Sequence, residues 1–231
     1  MPYIYAFITA VGTLIGGSLP FTGLFKKLDN RYLVGFAAGA MIGIALFDLI
    51  PEAAGLAGQA GLYIALGFFF VYLLEKFVLI HTCHEDEVIG GTVSWVPIIG
   101  IALESLIDGL AIAVGFAVTP ALGLTIALAV LAHELPRGFT TSVIMQKAHY
   151  PFKIILAVLL IDALFAPLGV AAANFFPTDY FEELLAFTAG VFLYVGAGDL
   201  LPEAHRKFNW QVVLSVLLGA AVIWLISTFV V

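Results

Sequence analysis

Eight long apolar stretches dominate this chain of 231 residues. A helix of about 20 apolar residues crosses a hydrocarbon core of roughly 30 Å. The composition agrees, since 62% of the residues are hydrophobic and only 11% are charged, with a mean hydropathy of +1.11. The stretches cover residues 3–25, 33–51, 60–80, 94–117, 121–147, 152–175, 183–202 and 210–230. We predict an all-α integral membrane protein with eight transmembrane helices, spans 1 to 8, forming a single transmembrane domain over residues 1–231.

The basic residues alternate along the chain. All lysines and arginines but one lie at, or within a few residues of, the connections after spans 1, 3, 5 and 7, and the connections after spans 2, 4 and 6 carry none. Cytoplasmic connections are the ones enriched in Lys and Arg. The alternation therefore predicts a multi-pass protein of the plasma membrane with both termini extracytoplasmic. The exception, Arg137, lies inside span 5 and should have a specific partner.

Two runs of sequence match without a gap. Residues 39–53 read GAMIGIALFDLIPEA, and residues 190–204 read GVFLYVGAGDLLPEA. In the predicted topology, span 2 runs outward and span 7 inward, as in inverted-repeat transporters, whose substrate site lies near mid-membrane. We expect a 3+2+3 inverted-repeat arrangement, with repeat 1 over about 1–80, a central helix pair over about 94–147 and repeat 2 over about 152–231. Chance similarity between apolar segments is the alternative.

The central pair carries polar residues at helical spacing. Glu104 and Asp108 lie four apart in span 4, and His133 and Arg137 lie four apart in span 5, so each pair shares a helix face. Ionisable groups at membrane depth usually face the protein interior and mark an ion pathway. Two carboxylates and an imidazole suit Zn²⁺, Mn²⁺, Fe²⁺ or Co²⁺, and Met41 in span 2 would add a thioether. Interhelical hydrogen bonding alone is the alternative role.

Arg137 needs a separate explanation, because a guanidinium stays charged and cannot ligate a metal. An isolated charge is not sustained at this depth, so we expect it to be the counterion of Glu134 or Asp108. A second interpretation is that it occupies the place of a second metal ion. Asp162 in span 6 is also ionisable, and the sequence suggests no partner for it.

Two further carboxylate pairs lie in the matched runs. Asp48 and Glu52 lie toward the predicted external end of span 2 and are candidates for recruiting cations. Asp199 and Glu203 lie toward the predicted cytoplasmic end of span 7 and are candidates for an exit relay. Helix caps or interfacial carboxylates are the alternative for both pairs.

The central stretches resemble those of the ZIP family of divalent metal transporters. The family's fourth span carries a motif like HNxxD/EG and its fifth a motif like H/Q/E-D/E-x-P-E/H; here residues 104–109 read ESLIDG and residues 133–138 read HELPRG. The likeness extends to the eight spans, the AAGAM and DLIPEA runs of span 2 and the AGVFLY run of span 7. It implies transport of a divalent cation, with zinc foremost and Fe, Mn or Co as others. It implies no cofactor, and family members are often homodimers.

The chain departs from the family pattern at metal-binding positions. Glu104 stands where the family usually has His, and Ser105 where Asn is usual. Arg137 replaces a Glu or His that bridges two metals in some members, and Ala166 stands where bacterial members often have Glu. Two ligands of a second site are therefore missing together, and a cation stands in the gap.

These departures predict a site for one metal ion. We expect Glu104, Asp108 and His133 to form it, with Met41 near. Arg137, paired with Glu134, would mimic the missing ion. The candidate ligands are thus Glu104, Asp108, His133, Met41 and Glu134. Carboxylate oxygen admits Mn²⁺ and Fe²⁺ more readily than imidazole does, so the substrate range should be broader than that of a His-rich site.

The connection after span 3 contains His81, Cys83 and His84 beside acidic residues. In the family, a His-bearing loop here is thought to capture or sense metal on the cytoplasmic side. These residues lack the spacing of a structural zinc site, and a solvated acidic loop is an equal alternative.

Three other functional classes share some of these sequence features. The HELPR string lacks the second His of an HExxH metalloprotease, and Pro136 interrupts the helix that would align it, so we do not expect an enzyme. A proton-coupled transporter of another solute, with Glu104, Asp108 and Arg137 as a charge relay, is one alternative, and a transport-inactive metal sensor is another. The expected partners are a divalent cation and the lipid bilayer, and no nucleic acid.

Overall fold

A computed structural model of the chain describes residues 1–22, 30–56, 58–83 and 95–230, and it describes their side chains except those of 78–97 and 230. Eight helices in these ranges are long and apolar enough to cross a membrane, which confirms the predicted fold class. The spans run Pro2–Thr22, Arg31–Gly55, Ala60–Cys83, Trp95–Val118, Pro120–Lys147, Phe152–Phe175, Thr178–Ala204 and Trp210–Val230. His84 lies outside the described residues, as does the side chain of His81.

Spans 2 and 7 share a local distortion. Each contains a π-helical turn, Ala45–Leu49 in span 2 and Tyr194–Leu200 in span 7. Both turns fall in the matched runs and precede a proline, Pro51 or Pro202. A proline cannot donate to the carbonyl one turn back, and π-bulges are frequent at functional sites. The repeated sequence thus produces a repeated widening of the helix.

The spans pack as two four-helix groups. Four extensive pairs are span 1 with 5, span 4 with 6, span 2 with 8 and span 3 with 7, and span 2 also packs along span 7. Further contacts of span 1 with 6 and span 4 with 5 join spans 1, 4, 5 and 6 into what we call bundle A. Spans 2, 3, 7 and 8 form bundle B. The bundles meet chiefly where span 2 lies on span 5 and span 7 lies on span 4.

Glycines allow the close approach in all four extensive pairs. Each of these pairs has one glycine on each helix where an added Cβ would collide with a backbone carbonyl of the partner helix. Small residues at such positions let membrane helices associate through van der Waals contact. The glycines are Gly16 and Gly138 between spans 1 and 5, Gly109 and Gly169 between spans 4 and 6, Gly39 and Gly219 between spans 2 and 8, and Gly67 and Gly190 between spans 3 and 7.

The apolar core lies where the bundles meet, and the periphery faces lipid. Met41, Ile112, Val130 and Phe192, from spans 2, 4, 5 and 7, are fully buried in one cluster. Spans 3 and 8 instead carry many exposed large apolar side chains, which is what a bilayer accepts and water does not. The chain is therefore a multi-pass membrane protein.

Candidate metal site

Three potential metal ligands meet at the centre of bundle A. Asp108, His133 and Glu134 each offer an atom within 4.8 Å of the other two, and all three residues are buried. His133 Nε2 lies 3.2 Å from Asp108 Oδ2 and 3.8 Å from Glu134 Oε1. Imidazole nitrogen with carboxylate oxygens is a usual ligand set for Zn²⁺ and similar ions. Charges buried this deeply require a partner, and a bound cation supplies one.

The His133 ring is oriented by its own helix. Its Nδ1 lies 3.3 Å from the carbonyl oxygen of Ala129, one turn earlier. When Nδ1 carries the proton, the ring donates it to this carbonyl, and the Nε2 lone pair faces Asp108. Such a contact from the second ring nitrogen is the usual device that fixes the tautomer of a metal-binding His. The His133 Nε2 lone pair and the Asp108 carboxylate, both acceptors, then face each other, as a cation site requires.

Glu134 is held from both sides. Its Oε2 accepts a hydrogen bond from the Thr13 hydroxyl in span 1. Its Oε1 accepts one from Arg137 and lies toward His133. The close approach of spans 1 and 5 at Gly138 brings Thr13 within reach. The carboxylate is therefore fixed before any ion arrives.

Arg137 lies among four carboxylates. It contacts Glu134 directly, and its guanidinium nitrogens lie 2.9 Å from Asp162 Oδ1, 3.2 Å from Glu104 Oε1 and 3.7 Å from Asp108 Oδ2. The two partners expected from the sequence, Glu134 and Asp108, are both among them. Asp162, for which the sequence suggested no partner, is paired with this arginine. The guanidinium thus supplies one fixed positive charge among groups from spans 4, 5 and 6.

Ser105 links the same groups. Its hydroxyl accepts from Arg137 and donates to Asp162 Oδ1 over 2.5 Å. Spans 4 and 6 approach closely at Gly109, one turn after Ser105. Thr13, Ser105 and the partner of Asp162 were not predicted from the sequence.

Two other candidate ligands, Glu104 and Met41, have different surroundings. Glu104 is 23% exposed at its side chain and pairs with Arg137, and the group of three mutually close ligands does not include it. Met41 is fully buried in the apolar cluster with Ile112 and Val130. Glu104 lies at the edge of the site, where it lines two cavities beside the triad.

Cavities connect the site with one end of the spans. One of about 180 Å³ is lined by residues that include Glu104, His133, Arg137 and Asp199. A second, of about 210 Å³, shares Glu104 and Asp199 with the first and is also lined by Glu75. Tyr194 lines the second cavity as well and donates a hydrogen bond to Glu75. The site is therefore reachable from the end at which the basic residues cluster.

The remaining candidate carboxylates are spread over both ends. Asp199 is exposed, and Glu203 is half-buried and lines the first cavity. Asp48 lies in the π-helical turn of span 2 and is 8% exposed, and Glu52 is exposed one turn later. In the described part of the chain, Asp48 Oδ2 has no hydrogen-bond partner. None of these four belongs to the buried triad.

An eight-span membrane protein with buried imidazole and carboxylate groups between two central helices has the architecture expected of a cation transporter. A family model described as "ZIP Zinc transporter" matches residues 83–227. The chain belongs to this family, which confirms the resemblance predicted from the sequence. The family is one of transporters and not of enzymes.

Individual relatives agree with this assignment. The chain is 32% identical to "Zinc transporter ZIP6" of Homo sapiens over 60% of its own length and 20% of the relative. It is 27% identical to "Zinc transporter ZIP13" of Pongo abelii over 87% of its length and 67% of the relative. It is also 27% identical to "Uncharacterized protein MJ1036" of Methanocaldococcus jannaschii over 98% and 97%. The chain thus spans about a fifth of the first of these relatives and nearly all of the last.

Proposed function

We propose that the protein transports divalent transition-metal cations across a membrane through the site on spans 4 and 5. The observation that carries this proposal is the buried triad of Asp108, His133 and Glu134, whose ligand atoms lie within 4.8 Å of one another. Glu104 borders the cavities at the edge of the triad and is suited to take the ion on or hand it over. Two carboxylates and one imidazole favour Zn²⁺ and also admit Fe²⁺, Mn²⁺ and Co²⁺.

The site takes one ion, and Arg137 stands in place of a second. The guanidinium is within 3.7 Å of carboxylates from spans 4 and 6 and contacts Glu134. Its charge is permanent. A second divalent cation among the same carboxylates would meet strong repulsion at these distances.

The helix packing supports an inverted repeat. If spans 1, 2 and 3 correspond to spans 6, 7 and 8, and span 4 to span 5, then the pair of spans 1 and 5 maps onto 6 and 4, and the pair of 2 and 8 maps onto 7 and 3. The contact of span 2 with span 7 maps onto itself. The glycine pairs map in the same way, and Gly39 and Gly190 are the first residues of the matched runs. The π-helical turns of spans 2 and 7 also correspond. We take these as the 3+2+3 repeat, in one domain.

The carboxylate pairs would line the route at its two ends. Asp199 and Glu203 border the cavities at the basic end and would form the exit. Asp48 and Glu52 lie in the corresponding part of span 2 and would recruit cations at the other end. With the basic end cytoplasmic, both termini are extracytoplasmic in the plasma membrane, and the resemblance to the family favours uptake toward the cytoplasm. A homodimer fits this proposal but is not required by it.

A flux assay in proteoliposomes tests the proposal. The purified protein should carry Zn²⁺, and more slowly Mn²⁺, Fe²⁺ and Co²⁺, into vesicles loaded with a metal-sensitive dye. Asp108→Ala and His133→Ala should each reduce this flux at least about tenfold, because each removes one of three ligands. Asp179→Ala, which removes an exposed carboxylate elsewhere, is the matched control. Full flux in the two site variants would refute the proposal, and transport of zinc alone would refute the broad range.

One observation favours a different substrate. The ion pairs of Arg137 with Glu104 and Asp108 also suit a charge relay in a proton-coupled transporter of another solute. That protein would bind no metal in an Asp108-dependent way. A transport-inactive sensor would bind metal with Asp108 yet give no flux. Metal binding and flux, measured on the same preparation, therefore separate the three.

A further inference from the structure

We propose that Asp162 is a positioning residue that fixes Arg137 as a resident cation and so sets the metal affinity of the triad. This inference rests on the proposed function. Asp162 lies in span 6, outside the group of three ligands, and its side chain is 2% exposed. Its Oδ1 lies 2.9 Å from the Arg137 guanidinium. In the described part of the chain its Oδ2 has no hydrogen-bond partner.

Asp162 and Arg137 depend on each other. A buried carboxylate without a partner is strongly unfavourable, and so is a buried guanidinium. Ser105 strengthens the pair, since it accepts from Arg137 and donates to Asp162 over 2.5 Å. The three groups close a small ring that joins spans 4, 5 and 6. This ring determines which side of the cluster the positive charge occupies.

The position of that charge matters to the metal ligands. Arg137 is 3.7 Å from Asp108 Oδ2 and in contact with Glu134 Oε1, two of the three groups that would bind the ion. Asp162 attracts the guanidinium toward span 6, away from Asp108. Without the Asp162 charge, the guanidinium would be compensated by the metal ligands alone and would compete with the ion for them. The lost negative charge would also leave a less favourable potential for a divalent cation.

A double-mutant cycle tests the inference with Zn²⁺ as the probe. The variants are Asp162→Asn, Arg137→Gln and both together, in lipid nanodiscs, with titration calorimetry and melting temperature as readouts. Asp162→Asn should raise the Kd at least about tenfold, since a buried cation loses its counterion beside the ligands. The double variant removes one charge of each sign, so its Kd should return to within about threefold of the wild type. Asp179→Asn, an exposed Asp outside the network, should change neither readout.

Each outcome decides the matter. The inference is overturned if Asp162→Asn binds Zn²⁺ with the wild-type Kd. It is also overturned if the double variant binds Zn²⁺ as weakly as Asp162→Asn does. If Asp162→Asn does not fold, the melting temperatures and zinc affinities of Arg137→Gln and the double variant are compared instead. The double variant should then melt at the higher temperature and bind zinc nearly as the wild type does; a folded double variant that binds none overturns the inference, because Asp162 would then act on the metal itself. The proposed function fails separately, through a wild type that shows no Asp108-dependent zinc binding.

Discussion

Replacing Thr13 with valine should weaken metal binding although Thr13 is not a ligand. The Thr13 hydroxyl donates to Glu134 Oε2 across the interface of spans 1 and 5. Thr13 is 1% exposed, so water has no access to replace the lost donor. Valine has nearly the same shape and leaves no cavity. Glu134 would keep Oε1 near His133 and Arg137 but lose the contact that fixes its other oxygen.

The size of the effect follows from the kind of bond. A hydrogen bond to a charged group contributes about 1.5–3 kcal/mol, and about 1.4 kcal/mol corresponds to a tenfold change in an equilibrium constant. The metal-free protein also loses part of this hydrogen-bond energy, so the change in the free energy of metal binding is smaller than the full value. We therefore expect the Kd for Zn²⁺ to rise about tenfold, within the range found when groups that orient a metal ligand are removed.

Calorimetric titration with Zn²⁺ measures this change, with two controls on the same helix. Thr13→Ser keeps the hydroxyl and should bind within about threefold of the wild type. Thr9→Val removes a hydroxyl that is equally buried but donates only to the carbonyl of Ala6, and it should leave the Kd unchanged. Unaltered binding in Thr13→Val would refute the reasoning. So would an equal loss in Thr9→Val, because the effect would then come from packing of span 1.

Three further outcomes follow from the same structure. Arg137→Glu should raise the bound metal from one ion to two per chain, as measured by elemental analysis after desalting; no additional ion would count against the role given to this cation. Gly138→Ala should lower the stability by about 1–3 kcal/mol, seen as a lower melting temperature, because the added Cβ would lie 3.0 Å from the Gly17 nitrogen and against the Thr13 carbonyl. The control is Gly61→Ala, which should not lower the melting temperature because its added Cβ would meet nothing within 4 Å. Asp199→Asn should slow zinc flux while leaving the Kd at the triad unchanged, since Asp199 lines both cavities but lies outside the triad; an equal loss of affinity would contradict its place on the exit route.

The eight spans were readable from the sequence because a bilayer imposes both the length and the apolar character of each helix. The structure confirms all eight with small shifts at the ends. Asp108 and His133, which the sequence assigned to one shared site, have side-chain atoms 3.2 Å apart. Helical spacing was enough to place Glu104 and Asp108 on one face of span 4, and His133 and Arg137 on one face of span 5. It did not decide which carboxylate joins Asp108 beside His133, and the structure places Glu134, not Glu104, in the compact group.

The supporting residues could not be read in the same way. In a membrane helix, the face toward lipid and the face toward protein are both apolar, so periodicity does not show how a helix is rotated. Thr13, Ser105 and Asp162 reach the site only because spans 1, 4, 5 and 6 pack through particular glycines. The π-helical turns were also missed. Their one visible signal was the proline three positions after Asp48 and Asp199 in both copies.

The polar network limits which parts of the protein can move together. The sequence predicted spans 4 and 5 as a central pair between two repeats, and the resemblance to the family favours a movement of that pair against the repeats. In the structure, however, Glu134 bonds to Thr13 in span 1, and Arg137 pairs with Asp162 in span 6. Pulling spans 4 and 5 away from these partners would leave a buried carboxylate and a buried guanidinium partly uncompensated, which costs several kcal/mol per group.

The contact of bundle A with bundle B is different in character. It is made largely of apolar side chains, including Met41 and Ile112, which can slide without breaking polar bonds. Near the basic end, Asn30, just before span 2, donates to Thr140 in bundle A over 2.9 Å, a neutral hydrogen bond of about 1 kcal/mol. The lower-cost movement therefore carries spans 1, 4, 5 and 6 as one body past spans 2 and 7. In the transporter that we propose, the ion would then travel with its ligands and with Arg137.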